Sequence, residues 1–517
     1  MRKRAHTLSA GLAALVLGSL ARAEDTPSPV PSPTTPPTAS APASAIPARA
    51  PSPPAPSIAP APSPAEARLV TAVEELGAWA ASVKGRAGAD VVEIDTGRVL
   101  ASLDAHRALN PASNTKVLTA AAVLDRLGPD HRFTTGVYGK VENGAVPVLV
   151  LRGDGDPSLE TADLVELARA LVRQGVRRVD RIQVDQGAFD DQYVPPAFAS
   201  QPNEWAPFRA PVSAVSLERN AVTLNVTPGR AGAPASVWFE PPGFVDVKGV
   251  VETRPSSAAD GVRLTLRPDG PRLRAEVAGF VGAGATRVRY SKRVDDPRLF
   301  PGYALAALLR ELGVDVPGDP SLGGNEVRAR LAYVESAPVS VLVRELGKNS
   351  DNFFAETLLK ALGGVVRGAP ARTENGASVV LEYLASLQAI DPDTKIVNGS
   401  GLFDANRVSP STLVAVLRHG FQSSRIAPDF VAELAVGGVD GTLRNRFKTH
   451  ADDRAIRAKT GTLDRVVALS GYVLAPPGRS AIAFSFIVDG APGKHAEARQ
   501  RIDRAVEAIF AVLNDGR

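Results

Sequence analysis

The chain has 517 residues, enough for two or three domains, and its 44% hydrophobic and 22% charged residues are the balance of ordinary soluble cores. The net charge of +4 is small for this length, and the basic residues are spread without a tract, so no nucleic-acid partner is expected. There is no cysteine, which excludes disulfides, thiolate catalysis, iron–sulfur clusters, zinc ribbons and a lipidated N-terminal cysteine.

Residues 1–23 have the form of a secretory signal peptide. "MRKR" is basic, the apolar run at 8–20 is too short to span a bilayer comfortably, and "ARA" at 21–23 supplies small residues before a cleavage point at Glu24. An uncleaved anchor is the alternative. The expected location is the periplasm or exported cell envelope, with no stable membrane anchor in the mature form. Residues 24–65 are rich in Pro, Ser and Ala and have almost no large apolar side chains, so they cannot offset the cost of ordering. They are expected to form a disordered, extended tether.

Ordered structure is expected from Glu66. The spacing of Leu69, Val73, Leu76, Trp79 and Ala80 predicts a helix, and two strands joined by "DTG" follow as a hairpin. A helix then starts at "PASNTK" (111–116) and ends at Gly128-Pro129, completing a first segment of a catalytic domain at 66–132. Residues 133–325 read as a mostly β insert, interrupted by a helix at 161–175 and closed by another at 302–314. Long helical patterns return at 326–517, including one continuous run through "VSVLVRELGKNSDNFFAETLLKAL"; late strands and a terminal helix near 499–513 follow. Helical blocks with sheet strands near both chain ends predict an α/β sandwich split in sequence by the insert.

Three short stretches carry chemistry. "SNTK" places Ser113 three residues before Lys116, "SDN" is Ser350-Asp351-Asn352, and "KTGT" is Lys459-Thr460-Gly461-Thr462. Each alone is a weak signal, and a serine at a helix start is more often a cap. Together and in this order they resemble the set shared by class A β-lactamases and penicillin-binding proteins. A serine hydroxyl needs a neighbour to take its proton, and residues at i and i+3 of a helix share a face. Ser113 is therefore the expected nucleophile and Lys116 its base, with Lys459 as a second cation that lowers the proton affinity of Lys116 and draws in a carboxylate. Ser350 is expected to relay a proton to the leaving amine, and Asn352 to hold the substrate amide and the Lys116 ammonium. Gly461 would let a substrate backbone lie along the strand, Thr460 and Thr462 would offer hydroxyls to a terminal carboxylate, and the N–H groups of Ser113 and Thr462 would form an oxyanion hole.

Spacing narrows the resemblance. Ser350 lies 237 residues after Ser113, room that a compact β-lactamase lacks. With "LRGDGDPSL", "VDDPRLFPGYALAALLRELGV" and "GVDGTLRNRF", the chain from about Gly88 onward is similar to the serine D-alanyl-D-alanine carboxypeptidase/endopeptidases, the class C low-molecular-mass penicillin-binding proteins. The resemblance implies a β-lactamase-like transpeptidase domain, an antiparallel sheet with flanking helices, interrupted by an insert of two smaller β-rich domains. It implies hydrolysis of D-Ala-D-Ala termini or D-Ala-to-diamino-acid crosslinks of peptidoglycan stem peptides, with β-lactams as covalent inhibitors. It also implies that Asp156 of "GDGDP" lies near the substrate's diamino-acid side chain. The chain departs from the family at Asn398, where Asp-Gly-Ser-Gly is expected and Asn398-Gly399-Ser400-Gly401 stands.

No cofactor or metal is expected. Asp154 and Asp156 fall short of a calcium shell, and the six histidines lack ligand spacing. Asp440 and Arg444 are open to a structural ion pair or a substrate contact. Two rivals stay open: a β-lactamase or esterase on the same scaffold, and a catalytically dead wall-binding protein, whose mark would be loss of Ser113, Lys116 or Lys459.

Overall fold

The computed structural model describes residues 63–200, 204–255, 261–324 and 329–514. The expected signal peptide and all but the end of the tether lie outside them. Helix α1 (Pro64–Ser82) begins with a capping box: Ser63 Oγ accepts from Glu66 N, and Glu66 Oε2 accepts from Ser63 N. The helix thus takes in residues 64 and 65, assigned from composition to the tether, and Ala65 is buried.

A six-stranded antiparallel sheet organises the molecule. Its strands are β1 (Arg86–Glu93), β2 (Val99–Leu103), β3 (Ala435–Val436), β4 (Ile456–Leu463), β5 (Val466–Val473) and β6 (Ile482–Asp489), in spatial order β3-β4-β5-β6-β1-β2. β5 and β6 are buried almost throughout, so they read as apolar runs rather than as alternation. On one face, α1 and the terminal α8 (His495–Asn514) pack through Leu69, Val73, Ile502 and Ile509. The other face is covered by α2 (Thr115–Leu127), α3 (Val339–Gly347), α4 (Asn352–Arg367), α5 (Thr373–Ser386), α6 (Pro410–Gln422) and α7 (Ala427–Glu433).

The single helix expected across residues 339–362 is broken. α3 ends at Gly347 and α4 starts at Asn352, with Ser350 at φ 57° and Asp351 capping α4 through Phe354 N. Apolar periodicity runs through the break because α3 and α4 both pack on α2, so the pattern alone does not reveal it.

The insert is mainly sheet. Strands Thr134–Gly139, Leu149–Gly153, Ile182–Asp185 and Ser321–Leu322 lie in a five-stranded sheet completed by Ala329–Glu335, which lies beyond the boundary expected at 325. Two three-stranded sheets follow, one around Ala221–Thr227 and one around Arg272–Ala278. These sheets and the helices Thr161–Arg173 and Phe300–Glu311 share one apolar core. The insert is fastened to α4 at several points: Lys360, wholly buried, pairs with Asp190 at 2.5 Å and donates to Gln192 O. Arg219 pairs with Asp351 at 3.1 Å and lies over the Phe354 ring.

Candidate active site

Ser113 sits in a short 3₁₀ turn (Ala112–Asn114) that leads into α2. The turn is held from several sides. Asn110 Oδ1 accepts from Ala112 N, Asn114 Nδ2 donates to Ser470 Oγ of β5, and Thr115 Oγ1 donates to Ala112 O. Ala112 has φ 47°, a left-handed conformation disfavoured for a residue with a Cβ and kept here by those bonds. Ser113 makes no capping bond to the helix it precedes. Its hydroxyl faces Lys116 Nζ at 3.2 Å.

Lys116 is fully buried, and its nitrogen also donates to Asn352 Oδ1 at 2.7 Å and to Ser400 O at 2.8 Å. Burial pushes the ammonium down to about 7, against the opposing pull of Glu356 and Asp351. The amine then has a definite geometry when neutral. Its two N–H bonds go to Asn352 and Ser400, and its lone pair is left for the Ser113 hydroxyl. Glu356, one helical turn beyond Asn352, accepts from Gly399 N and Ser400 N and so fixes the carbonyl that Lys116 meets. Its own carboxyl is pushed up by burial, and those same bonds oppose the shift.

Lys459, on β4 and also fully buried, donates to Ser350 Oγ and to Thr460 O, each at 2.8 Å. Its ammonium is driven well below the ordinary lysine value by burial first and by Lys116 second. Lys116 is thus close enough for its charge to act on Lys459.

Strand geometry places the remaining residues. β3 pairs only with Arg457 and Ala458, so from Lys459 to Leu463 that edge of β4 has no strand partner among the described residues. A cleft of about 610 Å³ opens there, lined by Ser113, Ser350, Thr442, Thr460, Thr462 and Arg499, among others. Thr460 and Thr462 share one side of the strand. Gly461 points the other way: a Cβ on it would lie 2.9 Å from Pro111 O and 3.2 Å from Ala112 Cβ. Its lack of a Cβ makes room for the turn that carries Ser113.

Asp156 is buried in a turn of the insert, its carboxylate accepts from Ser158 N and Oγ, and it is not among the residues lining the cleft. Asp440 is structural: it pairs with Lys348 at 2.6 Å and accepts from Val436 N. Asn398 uses the chemistry an aspartate lacks, since its Nδ2 donates to Pro196 O and Leu402 O while Oδ1 accepts from Gly401 N. A carboxylate there would face those two carbonyls without a donor. Glu356 and the Ser400 carbonyl were not singled out in the sequence; a Glu four residues after Asn352 on an otherwise apolar helical face was the available sign. No cluster of three or more metal-ligating side chains occurs among the described residues.

This sheet, with its flanking helices and a serine–lysine pair at a helix start, is the fold of the penicillin-binding proteins. The chain superimposes on the crystal structure of penicillin binding protein 4 from Haemophilus influenzae with a TM-score of 0.67 over 87% of this chain and 99% of that one, at 22% identity. The structure of that protein with a bound β-lactam gives 0.65 at 23% identity. In sequence, the chain is 34% identical over 429 residues to a D-alanyl-D-alanine carboxypeptidase of an Actinomadura species, covering 78% of each. It is 28% identical over 441 residues to the carboxypeptidase DacB of Mycolicibacterium smegmatis, covering 82% of this chain and 79% of that one. Residues 70–511 match the D-Ala-D-Ala carboxypeptidase 3 (S13) family, and the chain belongs to that family of serine peptidases.

Proposed function

We propose that the protein is an exported serine peptidase that removes the terminal D-alanine of peptidoglycan stem peptides through an acyl-enzyme on Ser113, and that β-lactams inhibit it by acylating the same serine. The single observation that carries this reading is the Lys116 nitrogen, held by Asn352 and Ser400 with Ser113 Oγ at 3.2 Å. In acylation, Ser113 Oγ bonds to the scissile carbonyl carbon as its proton passes to Lys116. The carbonyl oxygen takes the negative charge and lies against the N–H groups of Ser113 and Thr462. The C–N bond then breaks, and the proton reaches the leaving amine through Ser350, which Lys459 orients at 2.8 Å. Water repeats the sequence to release the acid. Thr460, Thr462 and the positive charge of Lys459 receive the substrate's terminal carboxylate.

Cleavage of D-Ala-to-diamino-acid crosslinks is a second reading, favoured by the size of the cleft. At about 610 Å³ it falls within the range that holds drug-sized ligands and leaves room beyond one alanine. Export rests on the N-terminal signal pattern; among the described residues no helix is long and apolar enough to cross a membrane.

The test is mass spectrometry of the folded protein mixed with a labelled penicillin, followed by peptide mapping. One adduct on Ser113 is expected. A label on another serine, or none, overturns the proposal.

A further inference from the structure

Of the carboxylates around the two buried lysines, one lacks a donor. Glu356 accepts from two backbone N–H groups, Asp351 from Phe354 N, and Asp440 from Lys348 and Val436 N. Glu433, the last residue of α7, is wholly buried, and neither carboxyl oxygen has a hydrogen-bond partner among the described residues. Buried polar groups without partners are rare enough to call for an explanation.

Its position is fixed by packing. A Cβ on Gly347 would fall 2.3 Å from Glu433 Oε2, so the end of α3 lies directly against the carboxyl. The next carbonyl, Leu434 O, accepts from Lys348 Nζ at 3.1 Å, and Ala435 pairs with Ala458, the neighbour of Lys459. The ionisable groups facing Glu433 are Lys459, Lys348 and Tyr472. Lys348 is engaged by Asp440, and the Tyr472 hydroxyl donates to Leu417 O. On the helices packed against α7, Arg344 of α3 is exposed and Glu345 accepts from Asn349 Nδ2, Arg418 of α6 reaches Ile94 O and His419 lies edge-on to Tyr383, and Lys116 of α2 is held by Ser113 and Asn352. Lys459 is the cation left for this carboxyl to balance.

We propose that Glu433 is a positioning residue for acylation, which sets the charge that Lys459 carries and, through it, the grip on an anionic substrate end. This deepens the function proposed above and rests on it. Burial and Lys116 both drive the proton off Lys459, and an opposite charge at Glu433 is what opposes them. Burial pushes this carboxyl itself up to about 8, so it is largely neutral at pH 7 and supplies its opposing charge as the pH rises through that value, where the alkaline limb lies. Replacing Glu433 by a neutral isostere leaves burial and repulsion unopposed. Lys459 then loses its proton at lower pH and ceases to attract a carboxylate.

The test is the pH profile of Ser113 acylation and of peptide turnover in Glu433→Gln. The alkaline limb of kcat/KM for a peptide ending in a free carboxylate should move down by about one pH unit, mostly as a rise in KM. Glu433→Asp should restore part of the shift. A folded Glu433→Gln whose profile keeps the wild-type shape overturns the proposal, whatever its absolute rate. Should Glu433→Gln fail to fold, the wild type decides with a C-terminally amidated peptide, for which the alkaline limb should be absent; the same limb with both peptides overturns the proposal. Wild-type protein that takes no label on Ser113 would instead defeat the function on which the proposal rests.

Discussion

Lys459 Nζ and Ser350 Oγ lie 2.8 Å apart across 109 residues of sequence, joining the sheet edge to the break between α3 and α4. The contact depends on a compact ammonium. Lys459→Arg keeps the charge but replaces the point donor with a planar fork that the buried site has no room to orient. Turnover of a D-Ala-D-Ala peptide should fall, while slow acylation by a labelled penicillin remains measurable. Loss of both to the same degree would show that Lys459 acts in proton transfer more than in recognition.

Lys116→Met should abolish acylation by peptides and β-lactams alike. A positioned general base is worth about 10² to 10⁴ in rate, and Ser113 loses the group its hydroxyl faces. Stopped-flow acylation with a labelled penicillin gives the answer directly. Acylation at the wild-type rate would remove Lys116 from the role of base.

On the proposed mechanism the neutral form of Lys116 is the active one, and that sets the pH dependence. Burial brings this amine down to about 7, so it is protonated and inactive as a base below that value. The acylation rate should therefore rise with pH through about 7 and level off above it, until the alkaline limb sets in. A rate that falls from pH 6 to pH 8, or does not change, contradicts the assignment.

Gly401→Ala should cost most of the penicillin acylation. Gly401 has φ 73°, and a Cβ there would lie 1.9 Å from Ala112 O, within the turn that carries Ser113. The backbone must shift, and the shift displaces the nucleophile and the neighbouring Ser400 carbonyl. Thermal unfolding beside the acylation assay separates a misplaced site from a lost fold.

Deleting residues 25–60 should leave turnover of a small soluble D-Ala-D-Ala peptide nearly unchanged, since every motif lies beyond them. Extending the deletion through Ser63 removes the cap of α1 and should cost about 0.5–2 kcal/mol of stability, read as a lower thermal midpoint. A large loss of small-peptide turnover from the shorter deletion would contradict this.

The sequence revealed the motif residues because Ser113, Lys116, Ser350, Asn352 and Lys459 recur at fixed local spacings with chemically telling types. It also revealed β5 as an apolar run and the flanking helices through their periodicity. What it hid depends on contacts across the chain. The break at Ser350 interrupts no apolar pattern, because α3 and α4 both pack on α2. That Pro111 and Ala112 pack behind Gly461 is a contact between distant segments, which no local pattern shows. The hold of Ser158 on the Asp156 carboxylate depends on the shape of the turn rather than on residue type alone. Glu433 has no motif around it; it stands out only when burial and the lack of a donor are both known.

The pairing of β1 with β6 joins Arg86 to Asp489, nearly the full span of the described residues. A central sheet closed this way has high contact order, and such topologies form slowly because the loop must close before the contacts stabilise it. The turn bearing Ser113 is pinned to Ser470, and Ser470 donates in turn to Ser485, so the position of Ser113 depends on the last strands. Chains cut short before β6 would keep all the motif residues and yet be unable to assemble them. Activity in this architecture is a property that the chain acquires at its end.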